Sequence, residues 1–153
     1  MSASPLETFL LGTPTGGARR QCHLIVDAKP VRADLRPLSD AIHQSEAGDV
    51  VAYAVPFEGS LPARLLTVAT LAIRLRRARR AFARNGAVEI ATYGVEPRLD
   101  APMFAYQLDS AASRYADRFL RHGGSGAAIR QLIARCFGYD PALGAVVVVG
   151  RKG

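Results

Sequence analysis

The chain has 153 residues, of which 49% are apolar and 22% charged, with a formal net charge of +7 at pH 7. That length is one domain, and the apolar share supports a buried core and excludes a disordered polypeptide. Two cysteines, Cys22 and Cys136, exclude a disulfide-dense secreted scaffold, and the absence of Trp leaves a core built from Ala, Val, Leu and Ile.

The opening MSASPLETFLLGTPTGG has no basic leader, so a secretory signal is not expected. The most apolar stretch, residues 65–73, is closed by Arg64 and Arg74 and falls far short of the roughly 20 residues that span a bilayer. A cytoplasmic chain with two reduced thiols is the expectation. Residues 1–20 read as an irregular segment with one short strand, 8–12, that stops at the turn cluster Gly12-Thr13-Pro14-Thr15-Gly16-Gly17. CHLIV, residues 22–26, is an apolar strand ending at Asp27, and the two strands are expected to form a hairpin. Asp34 caps a helix in which Leu35, Leu38, Ala41 and Ile42 recur at helical spacing, and Glu46-Ala47-Gly48-Asp49 breaks it. VVAYAV, residues 50–55, is a strand closed by Pro56.

Ser60 and Pro62 mark the start of a long helix, and Asn85-Gly86 its end. Val68, Leu71, Leu75, Ala78 and Phe82 form its apolar stripe. Residues 65–73 are expected to be the buried half of this covering helix. AVEIATY, residues 87–93, alternates like a strand, with Val88, Ile90 and Thr92 on one side. Residues 94–102 hold two prolines and read as a loop. Residues 106–120 and 127–137 read as helices, the second with Ile129, Leu132, Ile133 and Cys136 as core. AVVVV, residues 145–149, has no polar alternation and reads as a strand buried on both faces. The order β-β-α-β-α-β-α-α-β predicts one α/β domain over residues 1–153, with a single mixed sheet of four or five strands, mostly parallel, covered by helices.

This order resembles the C-terminal half of a class I S-adenosylmethionine-dependent methyltransferase. Residues 22–27 are similar to the fourth strand of that family. Residues 35–49 followed by VVAYAVP are similar to its helix, Pro-Gly-Gly turn and fifth strand, with Glu46-Ala47-Gly48-Asp49 in place of the turn. LRRARRAFARNGAVEIATYGVEPRLDAP resembles its basic helix, a phrase like RRAGFEVV and a tyrosine-glycine loop with prolines. The final LGAVVVVGRKG resembles its last, antiparallel strand. The resemblance covers residues 22–153 and implies a partial Rossmann-like sheet with an antiparallel C-terminal strand. It also implies an acceptor-side surface at Tyr93, Glu96 and Tyr106.

The family binds its cofactor where a strand runs into a glycine-rich loop and a helix, with a ribose-holding acid at the end of the next strand. In this sequence, Gly12, Gly16 and Gly17 occupy such a loop and Asp27 such a strand end. Only residues 18–21 separate the loop from the next strand, which leaves no room for the helix. The loop also reads as a hairpin turn, and Asp27 as a turn residue. The resemblance therefore implies a methyltransferase-like chain truncated at the cofactor side, acting as an accessory or pseudo-enzyme subunit or as a half-site completed by a partner chain. It implies no cofactor for the chain alone, with S-adenosylmethionine as the candidate cofactor of a site completed by a partner. A truncated sheet exposes an edge, where a protein partner or a second copy would pair.

No other catalytic constellation is visible. His23, His43 and His122 share no metal-ligand spacing with a carboxylate, and no metal site is expected. There is no Gly-Lys-Ser/Thr triplet, and Gly124-Ser125-Gly126 lacks a preceding strand. Asp109 and Asp117 lie two helical turns apart, too far to share a proton or a metal. The densest feature is six arginines within residues 74–84. Arg76, Arg77, Arg80 and Arg84 lie on one stripe, with Arg74 and Arg79 on its flanks. They read either as a solvated face or as an anion-binding surface for non-specific nucleic acid, an acidic lipid surface or an acidic protein. Aromatics for base stacking are missing from this stripe.

Overall fold

The computed structural model describes residues 21–28, 34–108, 132, 136 and 143–153. Among them the chain runs β1 (Cys22–Val26), α1 (Arg36–Gln44), β2 (Val50–Pro56), α2 (Leu61–Arg84), β3 (Ala87–Pro97), β4 (Pro102–Gln107) and β5 (Ala145–Lys152). The five strands form one mixed sheet in the order β1-β2-β5-β3-β4. The short strand and glycine loop expected within residues 1–20 lie outside the described residues, as do most of the two helices expected within 106–137.

The α/β class with a single mixed sheet is observed, but the sheet is not mostly parallel. Only β1 and β2 pair in parallel, whereas β2–β5, β5–β3 and β3–β4 are antiparallel. The cause is the position of β5. This strand enters between β2 and β3 running against both, so β2 and β3, which share a direction, are not neighbours. An apolar run such as AVVVV indicates burial on both faces but carries no information about strand sense. Ala145–Val148 are fully buried, with Val146 and Val148 on one face and Ala145 and Val147 on the other.

Both helices cover the face that carries Val51, Tyr53, Val55, Val146 and Val148. Leu38 and Ile42 of α1 and Val68, Leu71, Leu75, Ala78 and Phe82 of α2 are buried there, as their spacing requires. Leu35 is the residue that precedes α1. Asp34 still satisfies a first-turn donor, because its Oδ1 accepts from the Arg36 N–H at 3.1 Å. Pro62 sits in the first turn of α2, and Gly86 follows the helix with φ +74°. The stretch 65–73 is not buried throughout: Leu66 and Ile73 are 44% and 59% exposed, since α2 presents one face to the sheet and they lie on the other.

Four further expectations are corrected. The alternation of Val88 with Ile90 and Thr92 fails because β3 bulges between Val88 and Ala91, with Glu89 at φ +52°. One extra residue reverses the facing of everything before it, so Ala87 packs on the core and Val88 is exposed. Residues 94–102 are not a loop. β3 continues to Pro97, the turn is residues 98–101, and β4 begins at Pro102. The two prolines stand opposite each other at the hairpin end, where a missing N–H is tolerated. Tyr106 therefore lies in a strand, paired with Gly94, and no helix begins there. Leu132 and Cys136 are helical but exposed, so they are not core. Spacing of i, i+4 places two residues on one face without saying which way that face points. Both cysteines are free thiols.

Two small devices hold the sheet ends. Asp49 is buried, and its carboxylate accepts from the Gln21 N–H at 2.9 Å and the Glu46 N–H at 3.0 Å, which joins the entry of β1 to the α1–β2 turn. Gly150 lies beneath the ring of Phe82. A Cβ there would stand 2.6 Å from Phe82 Cδ1 and 3.2 Å from the Ala87 Cβ. Since Phe82 is fully buried, its ring has no free space to enter. Gly150→Ala is expected to destabilise the fold by about 1–3 kcal/mol, read from the urea midpoint. An unchanged midpoint would show that α2 does not rest on β5 at this point.

Candidate functional site

In open α/β sheets, ligands bind outside the carboxyl ends of the strands. Here β1, β2 and β3 share one direction, so Asp27, Phe57 and Arg98 emerge at one end of the sheet. Between the ends of β2 and β3 lies an open cavity of about 370 Å³, lined by Phe57, Glu58, Gly59, Arg64, Arg98 and Leu99 together with Gly144. Its polar groups are largely engaged within the fold. Arg64 Nε donates to the Phe57 carbonyl at 2.9 Å, and Nη2 lies 3.5 Å from the Leu143 carbonyl, tying α2 to the entry of β5. Arg98 forms a two-pronged contact with Asp100, at 3.0 and 2.8 Å. Asp100 is thus a surface partner of Arg98.

The end of β1 carries the most constrained chemistry in the described chain. Asp27 and Arg74 are both buried, with side chains 5% and 4% exposed. Arg74 Nη2 lies 2.9 Å from Asp27 Oδ2 and also donates to the Asp27 carbonyl at 2.8 Å. The Tyr53 hydroxyl donates to the same Oδ2. One carboxylate therefore joins β1, β2 and α2. Burial, followed by the hydrogen bond and the charge of Asp27, pushes the Tyr53 hydroxyl well above the usual tyrosine value near 10, outweighing Arg74. Arg74 Nε finds no acceptor among the described residues, a desolvation cost that the pair must offset.

These contacts define what the predicted site residues do. Asp27, the acid in the ribose-like position, is enclosed by Tyr53 and Arg74. Arg74 is not part of the arginine surface, because its acid comes from β1 rather than from its own helix. Its place was readable: three residues after Leu71 and four before Ala78, it falls on the apolar stripe. Tyr93, Glu96 and Tyr106 are not brought together as one group. The Tyr106 hydroxyl donates to Glu96 Oε1 at 3.1 Å, and Tyr106 packs on the helix-covered core, whereas Tyr93 packs with Val95 on the opposite face. Gly12, Gly16 and Gly17 lie outside the described residues. His43 Nδ1 is 2.7 Å from the Ser39 carbonyl in the last turn of α1, and His23 Nε2 is 3.9 Å from Asp49. Among the described residues no cluster of three metal-ligating side chains occurs, and no helix is long and apolar enough to cross a membrane.

Arg76, Arg77 and Arg80 are exposed as expected, and with Arg79 they border an open groove of about 920 Å³ between α2 and β3. Arg84 is exposed but does not line it. The groove's apolar lining includes Ile73, Leu75 and Ile90. Comparison with family models, curated proteins and solved structures finds no match for the chain.

Two outcomes test the buried cluster. Arg74→Met leaves a buried carboxylate without its cation and is expected to cost about 3–5 kcal/mol, against less than about 0.5 kcal/mol for exposed Arg76→Met, by urea denaturation. Equal losses would contradict the assignment. Tyr53 keeps its proton in the native state above pH 10, where the unfolded chain releases it. Stability should therefore fall as pH rises from about 10, and Tyr53→Phe should flatten that slope in denaturation curves recorded between pH 8 and about 11.

Proposed function

We propose that this chain is a methyltransferase-like subunit that supplies the acceptor side of the sheet, acting as an accessory chain or as a half-site whose cofactor side comes from a partner. The observation that carries this reading is the sense of the strands. β1 and β2 run parallel with α1 between them, and β5 runs antiparallel to both neighbours. That is the arrangement the resemblance implies for a last, antiparallel strand.

The chemistry at the strand ends agrees with a chain that does not hold S-adenosylmethionine alone. A ribose needs a carboxylate with free lone pairs, and Asp27 gives its carboxylate to Tyr53 and Arg74. Arg64 and Arg98 at the neighbouring cavity are likewise held by backbone and by Asp100. The cavity between β2 and β3, with the Glu96–Tyr106 pair on β3 and β4, is the acceptor-side candidate. A partner would join along β1, which is an edge strand among the described residues and whose Val26 is 49% exposed.

Titration calorimetry of the purified chain with S-adenosylmethionine is the direct test. No saturable heat is expected from the chain alone. Micromolar binding would contradict the proposal, because the cofactor would then need no second chain.

A further inference from the structure

We draw no further inference here: the strongest candidate, the arginine-lined groove between α2 and β3, carries none because nothing in the structure shows what covers it.

Discussion

The structure depends on one buried carboxylate. Asp27 ends β1, receives the Tyr53 hydroxyl from the middle of β2, and pairs with Arg74 from the middle of α2. A charge in this setting is tolerable only while paired and hydrogen-bonded. Three elements far apart in sequence are therefore held in one relative register. With Arg74 turned inward, Arg76, Arg77 and Arg80 face outward, because the helical period fixes their angles to Arg74. The interior ion pair thus determines which arginines the surface presents.

The same constraint bears on function. The carboxyl ends of parallel strands are where α/β sheets place their chemistry, and at that end Asp27, Arg64 and Arg98 are engaged within the fold around an open cavity. Asp27 is enclosed, Arg64 anchors loop carbonyls and Arg98 holds Asp100. The proposed subunit, which completes or supports a site, takes its motivation from this end of the sheet. The exposed Arg76, Arg77 and Arg80 lie elsewhere, on the flank of α2.

Much of the fold was legible because burial leaves a periodic trace. The 3.6-residue stripe of Val68, Leu71, Leu75, Ala78 and Phe82 placed α2, the Asn85-Gly86 pair ended it, and the unbroken valines of β5 marked a central strand. Other features were hidden for physical reasons. Strand sense depends on crossover geometry, which composition does not encode, so the sheet's antiparallel share was missed. The bulge at Glu89 inserts one residue and inverts an alternation that looked regular. Pro97 and Pro102 read as loop residues because proline disrupts central strands, yet a hairpin end accepts both. Arg74 was grouped with its charged neighbours although its position on the stripe marked it as interior, and its partner lies 47 residues away. Of the site residues, Glu96 and Tyr106 came together across β3 and β4, while Tyr93 turned to the far face because strand neighbours alternate.

The most direct measurement is a double-mutant cycle joining Asp27→Asn and Arg74→Met, followed by chemical denaturation. A clamp of the kind described predicts that the two losses are strongly non-additive, with a coupling of about 2 kcal/mol or more. Additive losses, with coupling within about 0.5 kcal/mol of zero, would show that the two residues do not act as a pair and would contradict the account.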